Sequence, residues 1–539
     1  AFAAGALTLG AAAGDEAALE LTANDVALVS GGAVAVAGDL FLGRTAVTLT
    51  VRETGVAPAT NGTFVVFTCA GTISGDPADL RVANPVFGKG YTFSVVGSEV
   101  RVTVGAVTSD AAVWNSAAGG EWSAAGNWIT APGAGAAGMK IGFMDAIQTA
   151  GTVTLDTAAT AGAVLFRNAN AYTLAGSGSL TLDETNGVPQ IVAELGTQTV
   201  AVATALAGDT TVAVTNTAEL RLSGAVGGAG RLTKIGNGRL VLSGGNTYAG
   251  GTTVASGPVD IAGPSPFGSG PVVLSGTSLT SKDAGPATVA NAVTSTVSMT
   301  VTTEAPLTLS GAWTATGSGL VLSKTGTNEL AVTGAFKPVA GVQNRLEVRQ
   351  GTVRFAAGAD AVYTSTVARN SIDFGTAAAG ATVRRLSIEP GASVSANCLY
   401  VGFGVTNIVS VSGGSLFLTG YSDSYRDAMV GVCANAGSVV TRYEISGGSV
   451  YAANYAWWIR GAYNAVRSVL DVSGGTVSVG QFSLGNRDLT GTLGESPTDV
   501  IVRGGLLEVR QRWNWMGDAN GARVNSVWLD GGRDRKSVV

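Results

Sequence analysis

The chain has 539 residues, 32 Lys and Arg against 37 Asp and Glu, and a formal charge of −5, too weak and too mixed for a nucleic-acid groove. It contains no His, which excludes Ser-His-Asp hydrolysis, Cys-His proteolysis and His-ligated zinc. Its 46% hydrophobic share argues against disorder, and Gly, Ser and Thr interrupt every apolar run before it could cross a bilayer as a helix.

Residues 1–14 are small and apolar without a basic leader, and Leu7-Thr8-Leu9-Gly10 already reads as a strand. An internal cut is therefore expected at the start rather than a signal peptide. Short strands separated by Gly-containing turns follow, at residues 62–67, 91–93, 100–104, 153–155, 179–182, 239–242 and 272–274. In most of them apolar residues alternate with Thr, Ser or Arg, the period of a half-buried strand. Helical periodicity is nearly absent; only Ala- or Trp-rich pieces such as 452–465 could take it. Asp183-Glu184 is a candidate carboxylate pair, but adjacent strand residues point to opposite faces, so a solvated turn is expected. Cys69, Cys398 and Cys433 are too scattered for a disulfide framework or a four-cysteine metal site.

A repeat decides between stacked coils and tandem sandwiches. Residues 232–244 match residues 322–334 at a constant offset, sharing Leu, Lys, Gly, Leu and Gly at fixed positions. Each copy has a strand, a basic residue, a Gly turn and a second strand. Lys234 and Lys324 are expected to be surface charges with packed stems, and Asn246 to satisfy backbone groups in a turn.

Residues 228–257 carry Lys234-Ile235-Gly236-Asn237-Gly238, a strand, and then Ser243-Gly244-Gly245-Asn246-Thr247-Tyr248-Ala249-Gly250-Gly251-Thr252-Thr253-Val254. This resembles the passenger-associated transport repeat, also called the autotransporter-associated β-strand repeat. The motif residues are Lys234, Gly236, Gly238, Gly244, Asn246, Thr247, Tyr248, Gly250, Gly251 and Thr252. The copy at 317–355 is degenerate, with Asn328-Glu329 in place of Gly-x and no Asn-Thr-Tyr. Upstream, Trp114-Asn115, Gly119-Gly120-Glu121-Trp122 and Asn127-Trp128 are similar to the lead segment that opens such modules in large bacterial surface proteins. These three tryptophans are expected to pin a module junction.

In the last third, Gly-Gly pairs beginning at Gly413, Gly447, Gly474, Gly504 and Gly531 follow short apolar strands at near-regular intervals. Such intervals suit the coils of a β-helix, where Gly turns the chain sharply beside a neighbouring coil. Tyr421, Asp423, Tyr425 and Asp427 form the best polar-aromatic cluster, able to contact a sugar or to be one exposed loop. The spacing of known calcium loops is absent from it. Trp457 and Trp458, with Tyr451, Tyr455, Tyr463, Trp513, Trp515 and Trp528, form a ledge if their coils adjoin, or stack inside the helix. The closing Asp534-Arg535-Lys536-Ser537-Val538-Val539 is what a common sequencing adapter encodes in frame, so residues 534–539 are expected to be an assembly artefact.

The expected fold is all-β, a right-handed single-stranded parallel β-helix. Residues 1–108 are the C-terminal part of a first module, 109–145 the Trp-rich lead segment, 146–390 a β-helix with transport repeats at 228–270 and 317–355, and 391–533 coils with Gly-Gly turns. The resemblance implies an exported passenger, outside the cell or on its surface, with a C-terminal β-barrel or other sorting tail beyond these residues. The expected role is that of a rigid stalk or adhesin without catalytic residues, metal or cofactor. Its expected partners are host or environmental glycans or surface proteins and the outer-membrane translocation machinery. A carbohydrate-binding or polysaccharide-degrading β-helix is the alternative, and a self-assembling surface-layer component a third.

Overall fold

The computed structural model describes residues 3–4, 7–8, 17–23, 34–43, 45–51, 62–82, 89–106, 111–276, 278–282, 285–317, 319–338, 344–364, 371–374, 383–401, 405–419, 440–459, 467–484, 498–510, 515–516 and 526–529. The chain is a β-solenoid of parallel stacked coils. Among the described residues, helix is confined to two short 3₁₀ turns, Pro77–Asp79 and Ala125–Asn127. Residues 1–196 and 197–539 form two compact units.

The first unit begins with a three-sided stack. Ala3–Ala4, Val34–Val36 and Gly62–Cys69 form one face, Leu7–Thr8, Leu40–Leu42 and Ile73–Gly75 the second, and Ala17–Ala23, Thr45–Val51 and Leu80–Val82 the third. All of these pair in parallel, as in Leu7↔Leu40↔Ile73. The hairpin of Lys89–Val96 and Glu99–Ala106 then lies antiparallel on Gly62–Cys69. Its inward Phe93, Val100, Val102 and Val104 join the core of Val36, Leu40, Val66 and Phe67.

A second stack in this unit starts at Ala111–Val113, which pairs in parallel with Lys140–Phe143 of the following coil. Its first coil holds the three tryptophans. Trp114 and Trp122 each meet Trp128 edge to face, at 4.9 and 4.8 Å between ring centres, a favoured aromatic geometry. Phe143, Phe166 and Tyr172 continue the cluster into the next coils. All three indoles are buried, and each N–H donates to a carbonyl, on Ser116, Gly133 and Trp122. Asp183 and Glu184 lie in a turn, where the Glu184 carboxylate accepts from the backbone N–H of Thr185 at 3.1 Å.

The second unit is again three-sided. Leu232, Thr252, Val272, Val293 and Trp313 stack on one face. One coil here is therefore about 20 residues long, the short end of the solenoid range. Leu240, Val259, Leu279 and Val301 stack on the next face, and Ala287, Leu307 and Leu330 on the third. Inward Leu, Val and Ile fill the interior, and Thr columns such as Thr233↔Thr253 and Thr294↔Thr314 face outward. Charged ladders also link coils outside: Asp260 is covered by Arg239, which pairs with it, and by Lys282 at 3.6 Å.

Further along, the strands Thr406–Leu418, Val440–Ile459 and Arg467–Leu484 run through corners without breaking. The register Ser415↔Ser449↔Thr476↔Leu506 advances in the same unequal steps as Gly413, Gly447, Gly474 and Gly504. Gly531 lies outside the described residues. Residues 452–459, open to helix by composition, are strand, because Ala452 and Trp457 pair in register with Val479 and Phe482 of the next coil.

Candidate functional site

The transport-repeat residues gather at corners between adjacent coils. Lys234 lies on the strand Leu232–Ile235, two positions from the inward Leu232, and its side chain points into the solenoid with no exposed surface. Its ammonium donates to Gly236 O at 2.6 Å in its own turn and to Ser256 O at 2.8 Å in the next coil. Lys324 repeats this on Val321–Thr325, donating to Gly326 O and Asn328 O at 2.6 Å each and to Gln350 O of the next coil at 2.8 Å. Three carbonyls are the full complement of an ammonium's three N–H donors. Burial holds the Lys234 amine down to about 8 and the Lys324 amine to about 7.

Both lysines were expected on the surface, and both are core residues. Carbonyls at a sharp turn cannot all find backbone partners, and a long cation reaching from inside satisfies them. Alternation carried the information: Lys234 shares its parity with Leu232, as Lys324 does with Leu322.

The turns require glycine where the lysine head sits. Gly236 and Gly326 both have φ of +80°. Gly257 and Gly351, at +75° and +70° in the next coil, would place a Cβ 2.7 and 2.6 Å from the Lys234 and Lys324 nitrogens. Gly238, Gly244 and Gly250 run against backbone of the preceding coil at Thr215, Gly224 and Gly230, and Gly251 against Pro271 of the next.

Asn246 and Tyr248 tie three coils together. The Asn246 side-chain oxygen accepts from Val226 N–H at 2.9 Å in the preceding coil, and its amide donates to Pro266 O at 2.7 Å in the following one. Thr247, exposed, donates its backbone N–H to Val226 O. The Thr252 hydroxyl donates to Phe267 O at 3.2 Å, so the buried Tyr248 hydroxyl, 2.6 Å away, donates to Thr252. Burial pushes the Tyr248 phenol up. All these partners are protein groups, and the arrangement is a clamp between coils.

The two copies of the repeat do not occupy equivalent places. Leu232 stacks through Thr252, Val272 and Val293 to Trp313, whereas Leu322 stacks on Met299 of the neighbouring face. The offset between the copies is thus four coils and one further side. The motif encodes a corner, and any corner of the triangle can use it.

Several core polar residues escaped sequence reasoning, Asn291 and Arg384 among them. Asn291 donates to Gly268 O and Gly270 O at 3.0 and 2.7 Å, further along the stack than Asn246. Arg384, fully buried, donates to Phe374 O at 2.9 Å and to Asn407 Oδ1 at 2.9 Å, with its guanidinium 5.6 Å from the Phe374 ring centre. Arg384 alternates with Leu386 and Ile388, the same parity clue as Lys234.

Tyr421, Asp423, Tyr425 and Asp427 lie outside the described residues, as do Cys433, Tyr463, Trp513 and residues 534–539. For Trp457 and Trp458 the backbone is described. Trp458 stands in register with Ser483, and Ser483 with Trp515, so the two tryptophan positions share one column two coils apart.

Residues 232–259 match the family model described as passenger-associated-transport-repeat. No curated protein and no solved structure matches the chain. The matched repeat and the stacked parallel coils fit an autotransporter passenger.

Proposed function

We propose that this chain is a rigid exported stalk that carries binding loops and faces away from a bacterial surface, and that its repeat helps drive secretion. The observation that carries the reading is the corner clamp inside the matched segment, where Lys234, Asn246 and Thr252 join each coil to the next. A chain emerging from an outer-membrane translocation pore gains these bonds only by stacking a new coil on one already folded. Each coil added outside therefore opposes retreat, and the stack grows by nearest-neighbour terms. The role is non-catalytic, and the protein works outside the cell or on its surface.

The test replaces Asn246, Tyr248 and Lys234 with Ala together in the full-length protein, expressed in its own secretion background. Surface yield is expected to fall severalfold while total synthesis holds. Unchanged surface yield would sink the secretion role. A reducing-sugar assay on polysaccharides is expected to show no turnover; turnover would replace the stalk with a degrading enzyme.

A further inference from the structure

Outward positions of this solenoid are mostly Thr, Ser and charged residues, but on one face two aromatic rings stand out. In Thr406–Leu418 the inward Leu416 and Leu418 flank Phe417, and in Val440–Ile459 the inward Val450 and Ala452 flank Tyr451. Phe417 and Tyr451 are each 37% exposed and stand in register on adjacent coils, with ring centres 6.4 Å apart. Among the residues whose side chains the structure describes they are the one pair of exposed aromatics in contact with each other.

A third planar group extends the row. Arg510 reaches across the intervening coil, places its guanidinium 4.4 Å from the Tyr451 ring centre, and donates to Tyr451 Oη at 2.9 Å and Ala452 O at 2.6 Å. Beside the rings runs a hydroxyl column, Ser393↔Ser415↔Ser449↔Thr476, in which Ser449 donates to Ser415 at 3.1 Å. The aromatic column itself continues through Ser478 to Glu508, which accepts from Ser478 at 2.8 Å.

We propose that the strip of Phe417, Tyr451 and Arg510, with its flanking hydroxyls, binds an uncharged polysaccharide chain lying along the stack. Exposed rings offer a flat surface to the apolar C–H face of a sugar, and the amphipathic Tyr suits a site half apolar and half wet. One guanidinium and one carboxylate leave the strip with no net charge. It therefore offers a polyol both donors and acceptors, and offers neither an anion nor a cation a net field. Coils spaced ~4.8 Å apart repeat these contacts along the axis, as a polymer ligand requires and a single sugar does not. The inference depends on the surface-displayed reading above only for the source of the glycan; binding belongs to the folded chain.

Affinity electrophoresis of the purified full chain tests it, in native gels containing hydroxyethylcellulose or galactomannan, with polygalacturonate as the charged probe. Retardation is expected in at least one neutral gel. Phe417→Ser and Tyr451→Thr should each weaken it about tenfold, Tyr451→Trp should retain it, and Phe41→Ser, at an exposed ring of the first unit, should not change it. The Ser and Thr replacements suit the site because Ser395 and Ser478 already stand in that column; if one of them fails to fold by circular dichroism, the Arg510→Gln variant must show the weakening instead. No retardation in either neutral gel, retardation confined to polygalacturonate, or retardation unchanged in folded variants would overturn the proposal. Surface yield of the Phe417→Ser variant is expected to match the parent, so loss of binding and loss of secretion are read separately.

Discussion

Lys324 shows how one side chain holds two turns. Its nitrogen meets three carbonyls, and a neutral amine, with two N–H groups, would leave one of them unmatched. Burial still lowers the amine to about 7, with Glu329 acting weakly the other way, and it lowers Lys234 to about 8. Between these values and the ordinary 10.5 the unfolded chain binds more protons than the folded one. Stability from the two corners therefore rises with pH across that window, by at most about 1.4 kcal/mol per pH unit for each lysine. Tyr248 and Tyr363, whose phenols burial raises, act in the opposite sense only above about pH 10. The denaturant midpoint should be higher at pH ~9.5 than at pH ~7, and Lys324→Met should flatten that rise. The same variant should lose about 1–3 kcal/mol near neutral pH, because its carbonyls lose their donor. Asn246→Ala should have a comparable effect of about 1–3 kcal/mol per stranded group, read as faster amide exchange at Val226.

At the scale of the element, a coil is specified by its corners as much as by its strands. Gly351→Ala would put a methyl carbon against the Lys324 nitrogen in a left-handed backbone conformation. It is expected to destabilise by more than about 1 kcal/mol and to free the Lys324 amine for chemical labelling. The first coil of the 111–143 stack depends on its indoles. Trp128 touches both other tryptophans and Phe143, so Trp128→Ala should remove about 3–5 kcal/mol locally. Limited proteolysis should then cut first within residues 114–139. Cleavage unchanged in site and rate would mean that the cluster does not secure this coil.

For the molecule as a whole, stability is distributed over many neighbour interfaces, and unfolding should proceed by coils with no single transition. Deleting residues 294–313 removes one turn between the paired positions Val293 and Trp313 and lets the following coils regain their register. That variant should keep its β circular dichroism and melt within a few degrees of the parent. Deleting 294–303 removes half a turn, sets faces out of step and should lower the melting temperature far more, because side chains then meet the wrong neighbours across the break.

Alternation of apolar and polar residues marks most strands, Gly-rich turns mark the corners, and the spacing of Gly413, Gly447, Gly474 and Gly504 measures the later coils. These are local properties, so the amino-acid order alone carried the all-β class, the stacking and the transport repeat. The shorter coils from Leu232 to Trp313 were harder to read, since their brief strands differ little from one another. Only the folded stack decided that Lys234 and Lys324 reach Ser256 O and Gln350 O of the next coil, that the second repeat sits one face further round, and that Phe417, Tyr451 and Arg510 meet in one row. Those facts depend on which residue lies one coil away, and corner loops of unequal length set that distance separately at every turn.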